Sequence, residues 1–96
     1  NIDKQDLIIE IGPGLGVLTN RLLQESNNVV AVELDKRMVN ILKDRFAQNI
    51  NDQAESKLEI INEDILKINL NQLSKQQKLP IIQKRPATLR RTSLVN

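Results

Sequence analysis

Leu7-Ile8-Ile9-Glu10-Ile11-Gly12-Pro13-Gly14-Leu15-Gly16 is the stretch that decides how the chain is read. Leu7, Ile8, Ile9 and Ile11 form a short apolar run rich in β-branched residues, which marks a buried strand. A glycine cluster stops the run. Beyond Gly16 the spacing turns helical, with Leu15, Leu18 and Leu22 on one face and Thr19 and Leu23 flanking it. Strand, glycine turn and helix in this order bring bare backbone up to a nucleotide-like ligand. Glycine leaves the ligand unobstructed and reaches positive φ, and Pro13 stiffens the turn by fixing its own φ. The same corner can also stand with no ligand at all.

The glycine spacing discriminates between ligands. Gly12, Gly14 and Gly16 give Gly-x-Gly-x-Gly, whereas the dinucleotide fingerprint is Gly-x-Gly-x-x-Gly and would need a glycine where Val17 stands. Glu10, just before the turn, repels a pyrophosphate and suits a cation. Both features disfavour a nicotinamide-dependent oxidoreductase and favour a ligand with an amino group or sulfonium, such as S-adenosylmethionine.

Ninety-six residues, 40% of them apolar, allow one small domain with a thin core. The chain has neither Cys nor His, which excludes disulfides, thiolate or imidazole metal sites, cysteine nucleophiles and serine–histidine triads. Phe46 is the single aromatic residue, so stacking a base on a ring has little to draw on. No apolar run approaches membrane length and nothing resembles a signal peptide, which gives a cytoplasmic expectation with no membrane partner and no metal. No feature specifies an oligomeric state. Residues 1–78 carry 10 basic and 12 acidic side chains, while residues 79–96 hold Lys84, Arg85, Arg90 and Arg91 and no acid. A near-neutral body thus carries a basic tail.

After a polar leading loop and the first strand, a helix is expected from about Leu15 to Glu25, and Ser26-Asn27-Asn28 signals a loop. Val29-Val30-Ala31-Val32 reads as a second buried strand. Asp35 is placed to cap a helix from Lys36 to about Gln48, with Met38, Val39, Leu42 and Phe46 as its apolar stripe. Leu58-Glu59-Ile60-Ile61 reads as a third strand, ended by Asn62-Glu63-Asp64. Ile65 to Leu73 fits either a short helix or an irregular apolar segment. Alternating strands and helices imply a parallel sheet with right-handed crossovers. The expected fold is therefore α/β, half of a doubly wound Rossmann-like sheet with strand order 3-2-1.

Beyond Gln72 the pattern weakens. Leu79-Pro80-Ile81-Ile82 attempts a fourth strand, but Pro80 opposes a central one. Residues 86–96 show no period, and residues 79–96 are expected to form a disordered basic tail after a cofactor-binding unit at residues 1–78. Arg90-Arg91-Thr92-Ser93 suits a phosphorylation site or an RNA contact less well than a solvated end.

Two acids stand where the strand ends would converge. Glu33 ends the second strand, where a carboxylate in nucleotide-binding βαβ units accepts from both ribose hydroxyls; otherwise it is a solvated strand end. Asp64 ends the third strand, where it can accept from an adenine amino group; otherwise it caps the segment starting at Ile65. Glu63 is adjacent and can exchange roles with Asp64.

Glu-Ile-Gly-Pro-Gly-Leu-Gly-Val-Leu-Thr (10–19), Val-Val-Ala-Val-Glu-Leu-Asp (29–35) and Ile-Asn-Glu-Asp-Ile-Leu (61–66), in this order, are more specific together than singly. About residues 5–70 resemble the ribosomal RNA adenine dimethyltransferases, which use S-adenosylmethionine to place two methyl groups on adenine N6 in small-subunit rRNA. The large-subunit adenine methylases of macrolide resistance are similar, but the Pro-Gly-Leu-Gly wording sits nearer the first group. The resemblance implies a class I methyltransferase fold, S-adenosylmethionine as cofactor and small-subunit rRNA as partner. Glu10, Gly12 and Gly14 would line the methionine end of the cofactor, Glu33 its ribose and Asp64 its adenine.

The departures matter as much. The family carries a Gln-Asn-Phe-Leu-type stretch before its first strand and an Asn-Leu-Pro-Tyr motif after its fourth, which binds the target amino group and stacks on the flipped base. Here Leu79-Pro80 matches two letters only. A flipped adenine needs both acceptors and a stacking partner. A sheet that stopped after three strands would also leave Leu7–Ile11 as an exposed apolar edge. The expectation is a fragment, or a chain broken by truncation or frameshift near residue 75, that lacks methyl transfer on its own and therefore has no catalytic residue to assign. The rival expectation is a non-catalytic module that holds RNA with its basic tail.

Overall fold

Both edges of the first strand are paired. In a computed structural model that describes residues 2–68 and 92–95, β1 (Leu7–Ile11) has β2 (Asn28–Val32) on one side and β4 (Thr92–Val95) on the other, with β3 (Lys57–Ile61) beyond β2. The order is β3-β2-β1-β4 and all three pairings are parallel. Leu7 lies opposite both Asn28 and Thr92, and Asn28 opposite Lys57, so every strand ends at one edge of the sheet.

The expected three-strand order is present, and the addition is β4. Residues 79–96 therefore do not form a separate tail throughout, because Thr92–Val95 join the sheet beside β1. The free hydrogen-bonding edge of a central strand selects these four residues, which carry no periodic pattern of their own. The expectations for residues 69–91, including the Leu79-Pro80-Ile81-Ile82 strand and the arginine pair, lie outside the described residues.

β1 and β2 are buried on both faces, which explains their continuous apolar runs. Ile8, Val29, Ala31 and Leu58 face α1 (Val17–Glu25) and α2 (Lys36–Arg45), packing with Leu22, Leu23, Leu42 and Phe46. Leu7, Ile9, Val30 and Val32 point the other way, where Ile61, Ile65 and Ile68 pack on them. The buried face of α1 is Thr19, Leu22 and Leu23, whereas Leu15 is exposed and lies before the helix. The expected Leu15-Leu18-Leu22 stripe is thus rotated, because the Thr19 hydroxyl has a buried partner in Glu10.

α2 begins as expected. Asp35 Oδ1 accepts from Arg37 N at 2.9 Å, and the Arg37 guanidinium returns to the same carboxylate at 3.0 and 3.3 Å. These bonds hold the Asp35 carboxyl below its ordinary value. The helix ends at Arg45, earlier than expected, and Ala47–Asn49 continues as a 3-10 turn. At the opposite edge of the sheet, Ser26 Oγ donates to the Asp6 carbonyl and accepts from Asn28 N at 3.1 Å, tying the start of β2 to that of β1.

The glycine turn is clamped from one side. Gly16 has φ +89°, and a Cβ there would lie 2.5 Å from Phe46 Cε2 and 3.0 Å from Leu42 Cδ2. Arg45, whose guanidinium sits 5.6 Å from the centre of the Phe46 ring, donates to the Leu15 carbonyl at 2.7 Å. Gly12 and Gly14 also have positive φ, but a Cβ on either would meet nothing within 4 Å. Gly12→Ala should therefore cost only left-handed strain, about 1–2 kcal/mol. Gly16→Ala should cost about 2–4 kcal/mol, because overpacking against Phe46 adds to the strain. Urea denaturation of both variants checks this ordering, and equal costs would contradict it.

Candidate functional site

The parallel register brings the loops after β1, β2 and β3 to a single edge, where a cleft of about 170 Å³ is lined by Gly12, Glu33, Leu34, Glu63, Asp64 and Ile65 among others. Its volume is below the ~300–1000 Å³ usual for whole-ligand pockets, so it suits one part of a nucleoside-sized ligand. A larger cleft of about 300 Å³ beside β3 is lined instead by Lys43, Asn49, Asn51, Lys57 and neighbours, and includes none of the expected site residues.

Glu33 is the centre of the site. One carboxylate oxygen accepts from Gly14 N at 3.2 Å and the other from Asp35 N at 2.9 Å. The acid thus ties the glycine turn to the start of α2 across the ends of β1 and β2. Its backbone N–H donates to the Ile61 carbonyl at 2.9 Å, continuing the β2–β3 ladder. Gly12 N donates to the Val32 carbonyl at 2.9 Å and so holds the first residue of the turn against the end of β2.

Asp64 shares the cleft with Glu33, and one of its oxygens caps the 3-10 turn Ile65–Lys67 by accepting from Leu66 N at 2.9 Å. The capping role weighed in the sequence is therefore present at a residue that also lines the cleft. Glu63 accepts from Asp64 N at 2.9 Å.

Glu10 stands apart from these acids. It shares strand parity with Ile8, so its side chain turns toward α1, where it is 2% exposed and accepts from Thr19 Oγ1. It does not line the cleft. What it does in this structure is join β1 to the first turns of α1, directly beneath the glycine turn. Gly14 reaches the site through its N–H to Glu33 rather than as a wall of the cleft.

Asn62 was missed in the sequence. Its side-chain amide donates to the carbonyls of Glu33 at 2.9 Å and Leu34 at 3.0 Å, stitching the end of β3 to the loop after β2. The only signal was a short amide side chain at the first position beyond a strand, which equally marks any turn. Among the described residues, no group of three or more acids, His or Cys is placed to hold a metal ion, and no helix is long and apolar enough to cross a membrane.

A parallel α/β half-sheet with a glycine turn after its first strand and an acid after its second defines the Rossmann-like class of fold. Comparison with known proteins narrows this. The family model for ribosomal RNA adenine dimethylase matches residues 1–89. Ribosomal RNA small subunit methyltransferase A of Mycoplasma mycoides is 44% identical over 87 residues, covering 88% of this chain and 30% of that protein. A dimethyladenosine transferase structure from Plasmodium falciparum aligns with a TM-score of 0.60 and 31% identity, covering 71% of this chain and 23% of the other. The 23S rRNA methyltransferase ErmE aligns at 0.61 and 25% identity, covering 72% and 26%. The chain belongs to the ribosomal RNA adenine dimethylase family, and it spans about a quarter of the length of the curated relatives it matches.

Burial raises the Glu10 carboxyl above its ordinary value of 4.5, and the Thr19 hydrogen bond opposes this only in part. The folded chain then holds that proton more tightly than the unfolded chain does. The contribution is full below pH 4.5 and is lost as pH rises through the higher folded value. Glu10→Gln keeps an acceptor for Thr19 and removes the charge. It should melt above the parent near neutral pH, with the gap closing toward pH 4.5. Thermal melts across this range check it, and a constant gap would contradict it.

Proposed function

We propose that the chain is the S-adenosylmethionine-binding part of a cytoplasmic rRNA adenine N6,N6-dimethyltransferase acting on small-subunit rRNA. The observation that carries this reading is Glu33, whose carboxylate spans from the end of β2 to the Gly14 N–H at the mouth of the cleft. The residues suit the cofactor. Positive φ at Gly12 and Gly14, with open space where a Cβ would be, leaves room beside the cleft for a ligand to approach bare backbone. Leu34 and Ile65 line the cleft and offer apolar flanks for a base, a task the buried Phe46 cannot perform.

When bound, S-adenosylmethionine supplies an electrophilic methyl group on a sulfonium. The protein's share is binding, orientation and electrostatics. Glu33 would accept from the two ribose hydroxyls, exchanging backbone donors for ligand donors. Asp64, which caps the turn at Ile65, would accept from the adenine amino group. Gly12 and Gly14 would admit the methionine end. Glu10 holds Thr19 behind the turn, where a carboxylate would favour a positively charged ligand.

Methyl transfer further requires a site for the target adenine. In the family resembled, that site begins with the Asn of Asn-Leu-Pro-Tyr after the fourth strand. Asn96 directly follows Val95, the last residue of β4, and is read as that Asn; the rest of the motif is not among these 96 residues. By this reading the chain on its own binds cofactor and transfers no methyl group. In the rival reading the basic residues hold RNA, and Arg90→Ser with Arg91→Ser would abolish RNA retention on a filter while leaving β4 in the sequence.

Isothermal titration of the full chain should show S-adenosylmethionine binding, weakened about 10-fold or more in Glu33→Ala through loss of charge-assisted hydrogen bonds. Radiolabelled methyl transfer to immature small subunits should be absent. Turnover by the chain alone would contradict the inactivity, and tighter binding of a nicotinamide dinucleotide would overturn the cofactor assignment.

A further inference from the structure

We infer that Asn62 is a positioning residue for the adenosyl end of the ligand, acting through the Glu33–Leu34 backbone that its side chain holds. The inference rests on the cofactor reading above and deepens it. Asn62 is exposed and does not itself line the cleft. Its side-chain amide donates to consecutive carbonyls of the segment through which β2 supplies an acid and an apolar wall to that cleft.

That segment needs such a support. The β2–β3 ladder ends at the bond from Glu33 N to the Ile61 carbonyl, so beyond it the strands no longer fix each other. Leu34 is 68% exposed, so burial does little to fix it. Asp35 N is turned inward to the Glu33 carboxylate. The two Asn62 bonds, at 2.9 and 3.0 Å, therefore extend the coupling of β3 to β2 by one residue past the regular sheet. An amide is suited to this because it carries two donors on one nitrogen, which a hydroxyl or a carboxylate lacks.

Asn62 is coupled to Glu33 and Leu34 at the β2 and β3 ends. The glycine turn shares one bond with this segment, from Gly14 N to the Glu33 carboxylate, and is held besides by Gly16 packing on Phe46 and by Arg45 on the Leu15 carbonyl. Loss of Asn62 should weaken adenosine and S-adenosylmethionine by the same factor, because both carry the adenosyl group.

The test is titration calorimetry of adenosine and of S-adenosylmethionine into the full chain and its Asn62→Ala, Asn62→Gln, Glu33→Gln and Asn62→Ala/Glu33→Gln variants, with a thermal melt of each. Asn62→Ala should lose about 5–10-fold in affinity for both ligands with a melting temperature close to the parent's. Asn62→Gln, which keeps the two donors on a longer arm at an exposed site, should recover most of that loss. The double variant should lose less than the product of the single losses, since both act on one segment. Multiplicative losses, an unchanged Asn62→Ala affinity, or a loss confined to S-adenosylmethionine would each overturn the positioning role. If the parent chain binds neither ligand, the cofactor reading falls first and the role of Asn62 with it.

Discussion

A side chain at residue 16 has nowhere to go. The α1 N-cap must take a left-handed φ, and the space a Cβ would fill is already held by Phe46 and Leu42. This contact fixes the distance between the glycine turn and α2, and with it the angle at which α1 leaves the sheet. The three glycines therefore do different things. Gly16 is spent on packing, and its neighbours at 12 and 14 leave their side of the turn bare. Arg45 closes the same joint from outside through the Leu15 carbonyl. The chain's one aromatic ring is used here, in the core, and not at the cleft.

From that fixed joint, polar contacts rather than packing arrange the strand ends. Glu33 grips the turn on one side and the start of α2 on the other, and Asn62 holds the backbone that carries Glu33. Hydrogen bonds at a solvent-facing edge are individually modest and exchangeable with a ligand's own donors and acceptors. The strand ends are thus held by bonds of this exchangeable kind. Glu10 belongs to a different layer. Its buried bond to Thr19 joins β1 to α1.

Much of this was legible. The apolar runs at 7–11 and 29–32 announced strands buried on both faces, and Asp35 announced its cap. The glycine spacing separated this turn from a dinucleotide fingerprint. What escaped reading has identifiable causes. Thr92–Val95 is four residues long and becomes a strand because β1 offers it an edge, which is tertiary information. Period-two alternation along β1 already put Glu10 on the same side as Ile8, toward the crossover helix, and a buried threonine nine residues later was the matching signal. Asn62 could not be singled out, because an asparagine after a strand serves any turn. The capping role of Asp64 was legible in its place before Ile65, and the residue also lines the cleft.

The pairing of Leu7 with Thr92 has a consequence for how the chain comes together. These partners lie almost the whole length of the sequence apart. Contacts of such separation carry a large loop-closure cost and form late. During synthesis β1, α1, β2, α2 and β3 can assemble in order as they emerge, each beside the one before. The inner flank of β1 then waits, its apolar strand unpaired along one side, until Thr92–Val95 have been made. The nascent protein is most in need of a chaperone in that interval, and the strand that ends the interval is the one the sequence advertises least.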